Sequence, residues 1–337
     1  MAFNLDGRTV LVTGGSGSIG SALVKGLLAQ KVAKVIVFSR DETKQFVMKR
    51  RTADSRLDTV VGDIRNYATI EKVVASCKPE LVYHAAAMKH LTMCELFPLE
   101  AANTNVVGTQ NMVDIARRYE IPRLINISTD KAVYPTSVLG STKLIAERST
   151  ANGGYTSVRF GNVTGSRGSV IPVLIDEMFR HKRLTITDPR VTRFLMTLED
   201  AVGLILKATG LAAGGDVFIL RMKAFRLSDL VEVLVSEVGP RVGVDPDKIE
   251  VRETGLLNAE KLHEELATHE ELAQASELAD MYVLTKDRKR NLTVGTGGAS
   301  FKDRSSEHAE RLSRNDLSKL IHSVLDSMKH PSLDIDR

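Results

Sequence analysis

Residues 8–30 read RTVLVTGGSGSIGSALVKGLLAQ and contain the pattern that decides the fold. A short β-branched run ends in glycine at residue 14, and residues 21–30 then show the apolar spacing of a helix. Between them, Gly14, Gly17 and Gly20 form a GxxGxxG loop. In a strand–loop–helix context such glycines permit a tight turn, close approach of a pyrophosphate and close helix packing, so the loop predicts a dinucleotide site at a helix N-terminus.

Further apolar runs alternate with helical stretches through the first half of the chain. The runs are 33–39, 58–63, 80–86 and 123–128, and the helical stretches include 66–76 and 103–119. Because parallel strands need a crossover that is usually helical, this alternation predicts an α/β fold with a doubly wound, Rossmann-like parallel sheet.

The pattern changes after about residue 160, where glycine-rich residues 161–169 precede mixed elements, which predicts a smaller C-terminal substrate lobe. We expect an NADP-binding domain over 1–164 and 191–222 and a UDP-sugar-binding lobe over 165–190 and 223–300. Residues 301–337 form the remaining segment, and the apolar face of 315–328 predicts a packing helix there.

Composition narrows the function classes. The 337 residues are 43% hydrophobic and 26% charged, which are globular values, and the net charge of +4 is spread along the chain, which argues against a nucleic-acid surface. Cys77 and Cys94 have neither CxxC spacing nor matching histidines, so no metal site is expected. With no leader-like start and no apolar run of about 18 residues, we expect a cytoplasmic protein without a membrane partner.

The end of the second predicted strand selects between the two nicotinamide dinucleotides. An acidic residue there would accept bonds from a free ribose hydroxyl group, whereas this strand ends in Ser39 and Arg40, which suit a 2′-phosphate. NADP is therefore predicted in preference to NAD, although Asp41 lies close by. Asp63, after the third strand, is expected either to hold the adenine amino group or to cap a helix.

Several longer motifs resemble one enzyme family. TGGSGSIGS (13–21), GDIRN (62–66), HAAAMKH (84–90) and TDKAVYP (129–135) followed by STK (141–143) are similar to the extended short-chain dehydrogenase/reductase superfamily, in its polysaccharide-biosynthesis branch of nucleotide-sugar dehydratases and epimerases. The resemblance continues through 161–172, 187–202, 260–266 and 305–313. It implies UDP-N-acetylhexosamine substrates and a tightly held NADP. The further cofactor contacts that it implies are Ser16, Ser18, Ile19, Ile64, Ala85, Ala86 and Lys143.

The resemblance also implies catalytic roles. Asp130 and Lys131 match the acid and base of the branch, and Lys143 matches the lysine that contacts the nicotinamide ribose. Transient oxidation at sugar carbon 4 acidifies the carbon 5 hydrogen; a base must remove it while an acid protonates the departing carbon 6 hydroxyl group.

One position departs from the superfamily pattern. Leu139 stands where the YxxxK motif requires tyrosine, and leucine cannot exchange a proton. One subgroup of the branch, the 4,6-dehydratase/5-epimerases, carries an apolar residue there together with the same DKAVYP wording. Lys131 and Lys143, with Thr129 as a relay, are the candidates to deprotonate the carbon 4 hydroxyl group, whereas Tyr134 precedes Pro135 and resembles a packing residue.

Substrate contacts are likewise implied by matching positions. Those near the sugar and diphosphate are Lys89, Asn162, Arg167 and Arg193. Glu260 matches an acidic residue that approaches the uridine ribose, although its approach, RETGLLNAEKLHEEL (252–266), departs from the usual glycine-rich wording.

The function predicted from these residues is a UDP-N-acetylglucosamine 4,6-dehydratase that inverts carbon 5, acting as a homo-oligomer. A UDP-N-acetylglucosamine 4-epimerase is the alternative enzyme, but Asp130 and Lys131 favour dehydration because epimerisation at carbon 4 needs no acid at carbon 6. An inactive NADP-binding sensor or scaffold is the alternative from another class.

Overall fold

The computed structural model describes residues 3–285 and 304–328. Within them the chain forms two compact units. Unit 1 comprises 3–160, 202–221 and 266–285, and unit 2 comprises 161–201, 222–265 and 304–328.

The elements follow one another along the chain as numbered here. The strands are β1 (Thr9–Thr13), β2 (Lys34–Ser39), β3 (Leu57–Val61), β4 (Leu81–His84), β5 (Arg123–Ile127), β6 (Thr156–Arg159), β7 (Asn162–Val163), β8 (Arg183–Ile186), β9 (Thr192–Met196), β10 (Val217–Leu220), β11 (Lys223–Arg226), β12 (Glu250–Glu253), β13 (Ser276–Glu277) and β14 (Met281–Leu284). The helices are α1 (Ser18–Leu28), α2 (Glu42–Thr52), α3 (Tyr67–Cys77), α4 (Leu91–Leu96), α5 (Pro98–Ala102), α6 (Gly108–Arg118), α7 (Val138–Asn152), α8 (Val170–His181), α9 (Leu198–Leu211), α10 (Leu227–Val233), α11 (Gly239–Arg241), α12 (His269–Ala273) and α13 (Arg314–Met328). Short 3₁₀ turns lie at Asp130–Ala132 and Pro246–Lys248, and π-helical turns at Asn103–Val107 and Leu234–Val238.

Unit 1 is built on one large sheet. Among the described residues it has nine strands in the order β13-β14-β10-β6-β5-β4-β1-β2-β3, and its first six strands in sequence, with β10, run parallel. The predicted doubly wound α/β fold is therefore confirmed. The strand order reverses between β1 and β4, and in such sheets ligands bind beyond the carboxyl ends of the strands at that reversal.

Unit 2 has two small sheets, in the orders β11-β9-β7 and β12-β8 among the described residues. Its apolar core includes α8, α10 and α13, and α13 covers the stretch predicted to form a packing helix. Leu317, Ile321, Val324 and Leu325 of α13 are buried in this core.

The unit boundaries differ from the expected ones in several places. Residues 161–164 and Met222, expected in the NADP-binding domain, lie in unit 2. Residues 191–201 lie in unit 2, because β9 pairs with β7 and β11. Residues 266–285 lie in unit 1, because β14 continues its sheet by pairing with β10. Residues 286–300 of the expected lobe, and 301–303 and 329–337 of the expected last segment, lie outside the described residues.

The described residues lack two kinds of feature. None of their helices is both long and apolar enough to cross a membrane. No three of their His, Cys, Asp and Glu side chains are grouped so that they could hold a metal ion.

Candidate active site

The glycine loop follows β1 at the strand reversal and is shaped by close backbone contacts. Gly14 has φ +67°, and a Cβ there would lie 2.6 Å from the Ala86 nitrogen and 2.7 Å from the Ala85 carbonyl carbon. A Cβ at Gly20 would lie 2.3 Å from the Gly14 oxygen. Gly17 is the N-cap of α1 and has no side chain to occupy the first N–H groups of that helix. This bare cradle fits a dinucleotide pyrophosphate.

Three other residues of the predicted cofactor site lie at the same edge. Ser16 of the loop is buried, whereas Ser18 and Ile19 open α1 and are partly exposed. Their positions in the loop and in the first turn of α1 match those expected for a phosphate site, and their contacts with a cofactor stay predictions.

A buried hydrogen-bond network follows β2. The Ser16 hydroxyl group donates to Ser39 Oγ over 2.8 Å, and the Gln45 amide donates to the same atom over 2.8 Å. The Arg40 side chain is 59% exposed, and its Nη1 lies 3.7 Å from Asp63 Oδ2. Asp41 caps α2 by accepting from the Lys44 backbone N–H group over 2.9 Å. Its carboxylate is therefore used within the helix terminus.

Asp63 is tied to a neighbouring arginine. The Arg65 guanidinium donates to both carboxylate oxygens over 2.7–3.0 Å and lowers the pKa of Asp63 through these bonds. Helix α3 is capped instead by Asn66, which accepts from Thr69 N, so Asp63 is not its N-cap. Ile64 is buried in the core of unit 1, and the adenine contact of Asp63 stays a prediction.

The end of β5 carries the predicted acid and base. Asp130 is fully buried, and its Oδ1 accepts from Thr129 Oγ1 over 2.9 Å and from Lys131 Nζ over 3.1 Å. Its Oδ2 is buried with no hydrogen-bond partner among the described residues. The backbone is fixed by the bond from Asp130 N to Phe160 O at the end of β6. A carboxylate with one oxygen left over beside an amine is suited to proton transfer.

Lys143 is buried inside unit 1. Its Nζ donates to the Ile127 carbonyl group of β5 over 2.5 Å. Burial lowers the pKa of Lys143 from 10.5 to about 8, although the Glu147 carboxylate one turn further along α7 acts to raise it. A lysine with a pKa near neutrality can exchange protons at working pH.

Leu139 lies one turn before Lys143 on α7. Its side chain is 4% exposed and packs with Cys94 and Ala101, beside Met88 and Val138. The leucine thus fills an apolar contact between α7 and α4–α5.

Gly140 was not identified from the sequence, and it sets how closely α7 approaches the catalytic turn. A Cβ there would lie 2.2 Å from the Lys131 carbonyl oxygen. Helix α7 begins at Val138, after the N-cap residue Ser137. The Ser137 hydroxyl group accepts a hydrogen bond from Gly140 N. A glycine in the first turn of a helix carries no sequence signal for this contact, because local residue spacing does not show that the Lys131 backbone packs against it.

Tyr134 is turned toward another element. Its φ is +41° and its side chain is 47% exposed. The hydroxyl group accepts from His269 N over 3.3 Å and donates to Glu270 over 3.5 Å, at the start of α12. These bonds use the phenol to hold α12, and its 47% exposure differs from the packing position expected from the resemblance.

A second buried network joins β1 and β4 to α6. His84 at the end of β4 contacts Thr13 Oγ1 through Nδ1 over 2.7 Å and Thr109 Oγ1 through Nε2 over 3.0 Å. Burial, and then the Lys143 charge, lower the pKa of His84 to about 3, so its imidazole is neutral. Because Thr109 donates its own hydroxyl hydrogen to Asn105 O, Nε2 carries the imidazole proton. His84 is therefore a packed, hydrogen-bonded residue of the core.

Unit 2 brings two of the predicted substrate residues together. Arg193 in β9 donates to Glu260 over 2.7 Å, and four of its N–H groups are shared among Glu260 and the carbonyl oxygens of Thr192, Lys261 and Leu262. Its guanidinium therefore holds the 260–262 segment. Its role at a diphosphate stays a prediction.

The other predicted substrate residues lie in one short strand and in two loops. Asn162 lies in β7 opposite Leu195, and Arg167 is exposed in the turn after that strand. Lys89 is exposed in the loop after β4 of unit 1. Their substrate contacts stay predictions.

The chain is similar to one protein family and to several known proteins. The chain matches the family described as "Polysaccharide biosynthesis protein" over residues 10–286. A Methanocaldococcus jannaschii protein named as an uncharacterized membrane protein is 41% identical over 82% of this chain and 85% of its own length. A UDP-glucose 4-epimerase of Rickettsia canadensis is 36% identical over 83% of each chain.

Among solved structures, Pen from Bacillus thuringiensis is 36% identical with a TM-score of 0.88, covering 96% of this chain and 99% of its own. Family match, identity and fold agree over most of the sequence. The chain therefore belongs to the polysaccharide-biosynthesis branch of the extended short-chain dehydrogenase/reductase superfamily.

Proposed function

We propose that this protein is an NADP-dependent 4,6-dehydratase of UDP-N-acetylglucosamine that also inverts carbon 5. The observation that carries the proposal is the Asp130–Lys131 pair. Oδ1 of the buried Asp130 carboxylate lies 3.1 Å from Lys131 Nζ, and Oδ2 has no hydrogen-bond partner among the described residues. Elimination of water across carbons 5 and 6 needs an acid and a base side by side. Simple epimerisation at carbon 4 needs neither at carbon 6.

The pair can perform both transfers of the elimination. Neutral Lys131 takes the carbon 5 proton, and protonated Asp130 gives its proton to the carbon 6 hydroxyl group, which leaves as water. The ammonium and carboxylate that result are the ion pair found between Lys131 Nζ and Asp130 Oδ1. The ion pair and the neutral pair that starts the step contain the same number of protons. Transfer of one proton from Lys131 Nζ to Asp130 Oδ1 converts the ion pair into the neutral pair.

Lys143 is the group we assign to the carbon 4 hydroxyl group in place of the missing tyrosine. NADP⁺ held at the glycine loop would supply the hydride acceptor for oxidation at carbon 4 and the hydride donor for carbon 6. Because burial lowers the pKa of Lys143 to about 8, a large share of the amine is neutral near that pH and can accept the hydroxyl proton. The proton removed at the carbon 4 hydroxyl group balances the one that carbon 5 regains when the hydride returns to carbon 6, so the complete reaction has no net proton uptake.

The choice of NADP rests on the end of β2. Ser39 and Arg40 offer a hydroxyl donor and a charged fork, and Asp41 is engaged in capping α2. The pyrophosphate would lie at the uncapped N-terminus of α1, with Gly14, Gly17 and Gly20 leaving room for it. A nicotinamide dinucleotide fits this cradle, and the 2′-phosphate is the finer part of the proposal.

Two alternatives follow from particular observations. The Rickettsia relative is named a UDP-glucose 4-epimerase, which favours hexose epimerisation. Leu139 in the tyrosine position favours a catalytically inactive NADP-binding sensor or scaffold. We also expect a homo-oligomer. The retained Asp130, Lys131 and Lys143 favour the dehydratase over both alternatives.

Replacement of Lys131 tests the proposal. Lys131→Ala should lower the dehydration rate by roughly 100-fold or more, the usual scale for a general acid or base, while UDP-N-acetylglucosamine binding persists. Lys72→Ala, at an exposed lysine of α3, is the matched control and should keep the wild-type rate. Near-normal dehydration by Lys131→Ala would show that another group removes the carbon 5 proton.

A further inference from the structure

Gln45 in α2 lies outside the cofactor site predicted from the sequence, yet it is bonded directly to that site. Its side chain is 2% exposed. The amide nitrogen lies 2.9 Å from the Ser39 carbonyl oxygen, 2.8 Å from Ser39 Oγ and 2.9 Å from the Val60 carbonyl oxygen. The two carbonyl groups fix the orientation of the amide, because a carbonyl oxygen in place of the nitrogen would face two other acceptors.

These bonds determine what the Ser39 hydroxyl group can do. Its oxygen accepts from Ser16 Oγ and from Gln45 Nε2. Because the two amide hydrogens of Gln45 serve three acceptors, the hydrogen directed at Ser39 Oγ is shared with a carbonyl oxygen. The hydroxyl hydrogen is thereby left to be donated away from both residues. The same amide joins the carboxyl ends of β2 and β3 through Ser39 O and Val60 O, which steadies the strand end from which Arg40 projects.

A fixed donor at this position distinguishes the two dinucleotides. Phosphate oxygens only accept hydrogen bonds, and a bond to a charged acceptor is about twice as strong as a neutral one. A free ribose hydroxyl group gains only the neutral bond. The Asp41 carboxylate follows this strand end and could accept a hydrogen bond from that hydroxyl group, but it serves as the N-cap of α2.

We propose that Gln45 is a positioning residue that sets selectivity for NADP over NAD, by holding the Ser39 hydroxyl group as a donor toward the 2′-phosphate. This inference rests on the NADP dependence proposed above. Gln45 acts through Ser39 and contributes no contact of its own to the cofactor.

The test compares dissociation constants for NADP⁺ and NAD⁺ by calorimetric titration of the full chain freed of bound dinucleotide. Gln45→Met conserves most of the side-chain volume and removes the amide. It should weaken NADP⁺ by about tenfold, the scale of one charge-assisted hydrogen bond, and change NAD⁺ by no more than about twofold. Gln110→Met, the same substitution at a glutamine of α6 whose side-chain amide donates to exposed Asp114, should change neither constant.

Ser39→Ala and the double variant separate a shared mechanism from two independent ones. Ser39→Ala removes one hydroxyl group and should reproduce the selective loss even where Gln45→Met folds poorly. In the double variant the two losses should not multiply, because both act through one hydroxyl group.

The outcomes distinguish the two levels of the proposal. A wild type that binds NAD⁺ at least as tightly as NADP⁺ overturns the cofactor assignment, and this inference with it. A wild type that prefers NADP⁺ leaves the assignment standing. In that case three results would overturn the role of Gln45. The preference for NADP⁺ over NAD⁺ could survive in Gln45→Met or Ser39→Ala, or the affinities for both dinucleotides could fall equally. The losses of NADP⁺ affinity could also multiply in the double variant.

Discussion

Leu139 occupies the position where a catalytic tyrosine would stand, and its environment explains what a tyrosine would cost there. The side chain is buried against Cys94 and Ala101. Leu139→Tyr adds volume and a hydroxyl group to this apolar contact, so it should lower the free energy of unfolding by about 1–3 kcal/mol. An active site that already works without the phenol should gain little dehydration rate. Urea unfolding and a product assay on the same preparation measure both effects.

Ile145→Tyr on the same helix is the matched control. Ile145 is 47% exposed, and a surface substitution should alter unfolding by no more than about 0.5 kcal/mol. If the wild type shows no dehydration activity and the Leu139→Tyr variant is strongly active, the result would favour the sensor alternative.

The buried Lys143 makes stability depend on pH. Its folded pKa of about 8 lies below the usual value of 10.5, so between these values the unfolded chain binds more protons and stability rises with pH. The stabilisation is complete above about pH 10.5 and is lost as the pH falls through about 8. Between pH 7 and 10.5, the unfolding free energy of the wild type should therefore gain about 3 kcal/mol relative to Lys143→Met.

Urea unfolding at several pH values measures this difference. Leu144→Met, an uncharged change one residue further along α7, should follow the wild type at every pH. A difference in unfolding free energy between the wild type and Lys143→Met that stays constant from pH 7 to 10.5 would mean that folding does not lower the pKa of Lys143.

Residues of the site were accessible from sequence to different degrees. Asp130, Lys131 and Lys143 were found because their motifs resemble a known family. Gln45 and Gly140 were missed, because their significance lies in contacts with Ser39 and with the Lys131 backbone that no local spacing reveals.

At the scale of elements, the β1–loop–α1 unit depends on the absence of side chains. A Cβ at Gly20 would lie 2.3 Å from the Gly14 oxygen and 2.6 Å from Gly15 Cα, which are backbone atoms that cannot move without reshaping the loop. Gly20→Ala should therefore weaken NADP⁺ binding by about tenfold or more and destabilise the fold by about 1–3 kcal/mol. Titration with NADP⁺ and thermal unfolding report the two effects.

Gly203→Ala in α9 is the control, since a Cβ there meets no atom within 4 Å. It should leave binding unchanged and stabilise the helix by up to about 1 kcal/mol. Wild-type affinity in Gly20→Ala would mean that the pyrophosphate does not lie against this loop.

The same scale shows which elements a sequence can predict. The early strands of the main sheet are continuous apolar runs between helices, so their local pattern was sufficient. Strands β9 and β14 were assigned to the other unit, because their sheet membership depends on pairing with β11 and β10, which are distant in sequence.

For the whole molecule, the confirmed sheet places Gly14 after β1 and Asp130 after β5 at one edge of unit 1, as the strand order requires. Substrate recognition by unit 2 was inferred from resemblance alone. There the structure pairs Arg193 with Glu260 and leaves both substrate roles as predictions.

The most direct test of dehydration is incubation of the protein with UDP-N-acetylglucosamine and NADP⁺ in deuterated water, followed by proton and carbon NMR of the sugar. The proposed chemistry predicts a new carbon 6 methyl group and deuterium at carbon 5, because Lys131 removes that hydrogen and solvent replaces it. The methyl signal then loses its coupling to a carbon 5 proton. A galacto-configured product without deuterium would contradict dehydration in favour of carbon 4 epimerisation, and unchanged substrate would contradict enzymatic activity on this sugar.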